Sequence, residues 1–187
     1  DPCPLPGLWQ NVPDDDYEWK VRTGHGLTYP VAGPAGAPEG SGNYLYFRNS
    51  CSPTGANGKK AILRTLCVQV NAPAAAPCHF SLDLYMNTKT GQMGSLALQA
   101  SVDGGLNWQT VRTWSGNQGK QWRREYVNLS AYNGKIALFQ LVASGVFGAS
   151  GDIAIDNLTF YGSAGAGTPD YTFFRDADGD GFGAWGA

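Results

Sequence analysis

This chain predicts an all-β fold, a two-sheet antiparallel sandwich of the jelly-roll kind. Three observations lead there. Apolar and polar residues alternate with period two in successive runs between Tyr44 and Tyr161, turn residues separate those runs, and no segment sustains an apolar stripe at helical spacing. Glycine is abundant, at 26 of 187 residues, and only 15% of residues are charged, a balance suited to short strands and turns.

The elements follow in order. Tyr44 opens the alternating region, and Ala61 to Val70 is one long apolar-rich strand candidate. In Phe80 to Met86, the residues Phe80, Leu82, Leu84 and Met86 share one face, which places His79, Ser81 and Asp83 on the other. Leu96, Leu98, Ala100 and Val102 repeat the pattern. Asp103-Gly104-Gly105 is a tight-turn signal, and Trp108 to Trp114 follows it, so the two runs form a hairpin. Trp122 to Leu129, Lys135 to Ala143 and Ile153 to Tyr161 complete the set.

The composition then changes. Residues 1–162 form the sandwich, 163–169 a Gly/Ala/Ser linker, and 170–187 a segment too short to own a core, expected to be a truncated further repeat. The formal net charge of −2 and scattered basic residues exclude a nucleic-acid partner, Arg123-Arg124 being only an isolated pair. No apolar run approaches the roughly 18 residues of a membrane helix, so no membrane insertion is expected. Asp1-Pro2-Cys3-Pro4 does not read as a signal peptide, and a mature or excised fragment is expected.

Cys3, Cys51, Cys67 and Cys78 form an even set without zinc-site spacing. Two disulfides in an oxidising, extracellular compartment are expected, against the alternative of four thiols. Cys67 with Cys78 suits the short Pro/Ala-rich loop between them, and Cys3 with Cys51 follows by elimination.

Asp176-Ala177-Asp178-Gly179-Asp180-Gly181 is the most specific local motif. Alternate carboxylates of Asp176, Asp178 and Asp180 on a curled loop converge on a hard cation, and the Phe182 carbonyl falls where an EF-hand loop supplies backbone oxygen. The twelfth position is Ala187 rather than Glu, so an EF-hand is incomplete. Phe173 to Gly183 instead resembles the Asp-rich calcium repeats akin to thrombospondin type-3 repeats, which implies structural calcium. Asp156 falls in register with Ala154, Leu158 and Phe160, a face that ought to be apolar. A carboxylate there must be hydrogen-bonded, metal-bound or turned outward by a bulge.

His25 and His79 are the only histidines. A triad from His79, Ser81 and Asp83 fails because alternate strand positions project in parallel and no nucleophile elbow is present, so no enzymatic activity is expected. Trp114, Trp122 and Tyr126, flanked by Asn117, Gln118 and Arg124, make a candidate glycan-binding set, with sandwich packing as the alternative for each ring. The sequons at Asn128 and Asn157 fall in predicted strands and read as chance.

An ordered series of motifs over most of residues 8–162 resembles the MAM (meprin/A5/mu) domain of secreted bacterial proteins. It begins with Leu8-Trp9-Gln10-Asn11 and Asp14-Asp15-Asp16-Tyr17-Glu18-Trp19, and continues through Gly33-Pro34, Gly40 to Tyr46, Phe80 to Met86 and Met93-Gly94-Ser95-Leu96. Ser101 to Trp108, Ser115 to Trp122 and Gly151 to Asn157 complete it. Cys3 to Gly7 stands where members open on a Phe-Glu strand, and Ala37-Pro38-Glu39 where many carry Asp-His-Thr. The resemblance implies a jelly-roll module for adhesion or recognition, attached to other domains of a secreted polypeptide. It implies a metal site in which Asp156 and Glu39 take part, with Asp16 and Asp152 as further partners. Trp9, Trp19 and Trp108 match family positions that serve packing. Three roles are compatible with it: an adhesion module binding an extracellular protein or polysaccharide, a dedicated carbohydrate-binding module, and a structural spacer.

Overall fold

The computed structural model describes residues 9–23, 33–40, 42–48, 58–71, 77–88, 91–146 and 151–161, and the backbone of 171–172. Their strands are β1 (Trp9–Asn11), β2 (Lys20–Thr23), β3 (Asn43–Phe47), β4 (Lys60–Thr65), β5 (Val68–Gln69), β6 (His79–Met86), β7 (Ser95–Ser101), β8 (Gln109–Ser115), β9 (Arg123–Asn128), β10 (Ile136–Ser144), β11 (Ile153–Tyr161) and β12 (Tyr171–Thr172). A single 3₁₀ turn, Ser130–Tyr132, is the only helical element among the described residues. The first sheet runs β1-β4-β10-β7-β8, with β5 also on β10; the second runs β2-β3-β11-β6-β9, with β12 also on β11. Every strand pairing is antiparallel. The expected all-β sandwich is what forms.

The alternation explains the layers. Phe80, Leu82, Leu84 and Met86 from β6 meet Leu96, Leu98 and Ala100 from β7 and Phe139 and Leu141 from β10 in one core between the sheets. Burying such side chains is the main favourable term, about 1.5–3 kcal/mol for each fully covered one. Trp9 stacks on Phe160 with centroids 5.9 Å apart, and the Trp19 indole donates to the Ala61 carbonyl at 3.1 Å. Both tryptophans therefore pack.

Acidic and amide side chains near the N-terminus finish the sheet edge. Asn11 exchanges two 3.0 Å hydrogen bonds with the Trp19 backbone. Asp15 accepts from the Ile62 and Tyr17 N–H groups, and Asp16 accepts from the Lys60 N–H at 2.9 Å. Asp16 thus satisfies the part of β4 that runs past the short strand β1, because backbone donors left unpaired there need acceptors.

Two expectations are corrected. The single strand over Ala61–Val70 is broken into β4 and β5, although both pair with β10. At the break the Thr65 hydroxyl substitutes for the ladder, accepting from the Phe139 N–H at 2.8 Å and donating to the Phe139 carbonyl at 3.2 Å. The Cys67–Cys78 bond suggested by the loop is not formed. Cys67 adjoins β5 in the first sheet, while Cys78, 2% exposed, enters the core at the start of β6 in the second. Cys3 and Cys51 lie outside the described residues.

The β7–β8 hairpin forms where the Asp103-Gly104-Gly105 signal placed it. Asp103 accepts from the Asn107 backbone at 2.9 Å, the Asn107 side chain at 2.7 Å and the Ser101 hydroxyl at 2.7 Å. These bonds, led by the Asn107 backbone N–H, pull the Asp103 carboxyl down to about 2. Gly104 and Gly105 carry φ of +74° and +93°, which any side chain would resist. The Trp108 indole closes the turn on the Gly105 carbonyl at 3.0 Å.

Candidate recognition face

The second sheet turns one face to the core and the other away from it. Cross-strand register arranges that outer face in rows. Tyr161, His79 and Asn128 lie side by side; Thr159, Ser81 and Tyr126 form the next row; Asp156, Asp83 and Arg124 form the third. Strands β11, β6 and β9 contribute one residue each to every row.

The first two rows make an aromatic cluster. His79 stacks on Tyr161 with centroids 4.5 Å apart and planes at 19°, and meets Tyr126 edge-on at 5.5 Å. Tyr126 is 65% exposed. The expected Tyr126 and Arg124 therefore stand together. His79 was legible as an outer-face residue, but Tyr161 was not identified, because its place depends on a bulge in β11.

That bulge lies at Asn157. Asp156 faces Asp83 and Thr159 faces Ser81, so β11 spends one residue more than β6 over this step. Asn157 adopts φ +49°, a left-handed conformation that Asn tolerates better than most residues. Ile153 and Ile155 before the bulge and Leu158 and Phe160 after it all reach the core. Asp156 is thereby turned onto the outer face, out of register with Leu158 and Phe160. The apparent conflict in the alternation marks the irregularity itself.

Asp156 is nonetheless only 9% exposed. Burial pushes its carboxyl up to about 7; the Asn157 N–H, donating at 2.7 Å, and the Arg124 charge oppose this, while Glu39 and Asp83 reinforce it. The Asn157 side-chain amide donates to both Glu39 and Asp83, the latter at 2.8 Å. Arg124 pairs with Asp83 through Nε at 2.9 Å and donates to the Asn157 carbonyl at 3.2 Å. The bulge, the Glu39 loop and β9 are thus tied into one polar network.

Asp156 and Glu39, implied as metal ligands, are held in this network by hydrogen bonds: the Asn157 backbone N–H donates to Asp156, and its side-chain amide lies between the Glu39 and Asp83 carboxylates. Among the described residues, no group of three or more His, Cys, Asp and Glu side chains is arranged to hold a metal ion. Asp176, Asp178, Asp180 and Phe182 lie outside the described residues.

Beyond the third row the face is covered. Ala37, Tyr44, Tyr46, Tyr85 and Ala154 form a second apolar cluster against which Trp122 packs. The Trp122 indole donates to the Gly36 carbonyl at 2.9 Å, clamping the 33–40 segment over the strands. Trp122 is therefore half-buried in a structural contact. Trp114 is 3% exposed in the main core and donates to Glu125 at 3.1 Å, so its expected place in a ligand platform gives way to packing. Asn117 and Gln118 hold the β8–β9 connection instead of joining Tyr126: Asn117 donates to the Thr88 carbonyl at 3.4 Å and Gln118 to the Ser115 carbonyl at 2.7 Å. The sequon at Asn157 has its amide engaged as described, and Asn128 accepts from the Ser130 N–H at 2.8 Å.

His79, Ser81 and Asp83 project side by side from β6, as expected of alternate positions. Asp83 is held by Arg124 and Asn157, and the Ser81 hydroxyl accepts from Arg124 at 3.5 Å. No helix is long and apolar enough to cross a membrane among the described residues.

Solved structures share this architecture at low sequence identity, which establishes likeness of fold. The K1 cleaved adhesin domain of Lys-gingipain from Porphyromonas gingivalis W83 matches with a TM-score of 0.52 and 17% identity, over 84% of this chain and 92% of that one. The K3 adhesin domain of the same protein gives 0.55 and 13%, over 84% and 92%. A non-crystalline-cellulose-specific carbohydrate-binding module gives 0.51 and 12%, over 83% and 88%. The family model for the MAM domain, meprin/A5/mu, matches residues 2–164, and with its motifs accounted for by the turns, edges and core above, the chain belongs to the MAM domain family.

Proposed function

We propose that this chain is a non-catalytic recognition module of a larger secreted protein, engaging an extracellular protein or polysaccharide surface through the outer face of its second sheet. The observation that carries the reading is the exposed margin of that face along β9, where Tyr126 and Arg124 stand open over the buried Ser81, Asp83, Asp156 and Thr159. Its rigid strands present a ring cluster beside a hydrogen-bonded Arg124–Asp83 pair. Rigid, half-exposed aromatics next to oriented polar groups suit recognition, since little side-chain freedom is lost on binding. The adhesin and carbohydrate-binding folds of its neighbours agree with that role. The parallel projection of His79, Ser81 and Asp83, with Asp83 engaged elsewhere, supports the absence of catalysis.

The test is binding of the full chain to immobilised matrix proteins and insoluble polysaccharides. The double variant Arg124→Ala/Tyr126→Ala should lose surface binding while keeping the parent circular dichroism. Equal binding by the parent and this variant would refute the face. Structural calcium is proposed for the Asp176–Phe182 segment, with Cys3, Cys51, Cys67 and Cys78 in an oxidising compartment. Titration calorimetry with calcium should show saturable heat, and a flat titration removes calcium from the proposal.

A further inference from the structure

Strand β9 ends one side of the second sheet, with β6 on its inner side and no further strand beyond it among the described residues. Which of its backbone groups are spent follows from the ladder. The Leu129 N–H donates to the Cys78 carbonyl at 2.8 Å, one step beyond the opposed pair His79 and Asn128. Hydrogen-bonded pairs alternate along an antiparallel ladder, so Val127, Glu125 and Arg123 also turn their backbone groups towards β6. Arg124, Tyr126 and Asn128 turn theirs away from it. Among the described residues, no backbone bond reaches β9 from that side. All three of these residues are exposed, Tyr126 at 65%.

An edge of this kind is a template for another extended strand, whose donors and acceptors alternate at the same spacing. The other edges are blunted. A register shift interrupts β8, and β1 and β2 are short. By contrast, β9 pairs without interruption along its length and contains no proline.

The strand that fits this edge is β9 itself. Two copies related by a two-fold axis normal to the sheet keep their outer faces on one side. Opposed residues must share a face, so the axis lies at a residue rather than between two. At Arg124 or Glu125 it would set like charges against each other. At Val127 or Asn128 it would run the strand into the Ser130–Tyr132 turn of the other copy and shorten the overlap. At Tyr126 it does neither. Arg124 then meets the uncharged Asn128 of the second copy, Glu125 meets Val127, and the two Tyr126 rings lie side by side. The outward groups of Arg124, Tyr126 and Asn128 pair in about six backbone hydrogen bonds.

We propose that this chain self-associates through β9, two copies joining their second sheets into one continuous antiparallel sheet with Tyr126 at the two-fold axis. The pairing uses backbone groups and leaves the outer-face side chains of both copies on one surface. It therefore goes beyond the recognition reading without depending on it.

Sedimentation velocity of the full chain over a concentration series should show a reversible monomer–dimer equilibrium. Hydrogen exchange at high concentration should slow at the Arg124, Tyr126 and Asn128 amides and stay unchanged in β2. Tyr126→Pro removes only an outward donor, which an edge strand tolerates, and should weaken association about tenfold. Asn128→Lys sets a second cation opposite Arg124 and should also weaken it. Asn128→Asp keeps the acceptor for the Ser130 N–H and should strengthen it. Thr113→Lys on β8 should change nothing. Far-ultraviolet circular dichroism establishes that each variant is folded. A chain that stays monomeric, association undiminished in Tyr126→Pro or Asn128→Lys, or association lost in Thr113→Lys overturns the proposal. A monomeric chain whose surface binding still disappears in Arg124→Ala/Tyr126→Ala overturns the pairing and leaves the recognition reading standing.

Discussion

Replacing Asp156 by Asn tests whether the bulge holds a carboxyl group against its preference for water. In the folded chain that carboxyl is pushed up to about 7 from 3.8, by burial first and then by Glu39 and Asp83. The folded state therefore binds the proton more tightly than the unfolded state does. Stability from this group is fully present below about pH 4 and is lost as pH rises through about 7. A shift of about three units corresponds to about 4 kcal/mol across the whole range, of which about 2–3 kcal/mol falls between about pH 5 and pH 8. Asn keeps the size and an acceptor for the Asn157 N–H but does not ionise. Urea denaturation at intervals across that pH window should show the parent losing stability relative to Asp156→Asn, with the variant the more stable at the alkaline end. Near pH 5 the two should lie closer together. In a domain of this size the alkaline difference amounts to about 4–10 °C in melting temperature. Parallel stability curves for the two proteins would refute the burial argument and the network built on it.

Three further outcomes follow from the fold. Thr65→Val should cost about 1–3 kcal/mol in chemical denaturation, because the buried Phe139 N–H loses its acceptor with little change in volume; an unchanged midpoint would mean the strand break has another cause. Gly151→Ala should destabilise by about 1–3 kcal/mol, since its Cβ would run into the Asn87 carbonyl and the Met93 sulfur; wild-type thermal stability would show that this approach relaxes freely. Asp103→Ala should speed amide exchange in the β7–β8 turn, with the parent turn keeping its protection as pH falls below about 4 and losing it through about 2. Equal exchange in parent and variant would deny the carboxylate its role.

Much of the framework was legible because it is written in local pattern. Phe80, Leu82, Leu84 and Met86 share a face whatever lies opposite, and Asp103-Gly104-Gly105 supplies its own turn chemistry. The ligand set was less legible. Trp114 and Tyr126 each sit on a strand beside polar residues, yet one is core and the other is exposed, since an aromatic ring suits either place. The Thr65 break escaped detection because a hydroxyl standing in for a backbone group leaves the apolar pattern intact.

Asp156 shows where the two levels divide. Alternation along the chain determined that strands form, which residues bury together, and that a carboxylate at this position conflicts with its neighbours. Tertiary structure decided how the conflict resolves: one extra residue at Asn157 rotates Asp156 outward and carries Thr159 and Tyr161 into line with Ser81 and His79. The physical reason is that side-chain alternation is a property of a single strand, whereas register belongs to a pair. A one-residue bulge in one partner exchanges the faces of everything beyond it, and only the paired strands reveal which rings then meet.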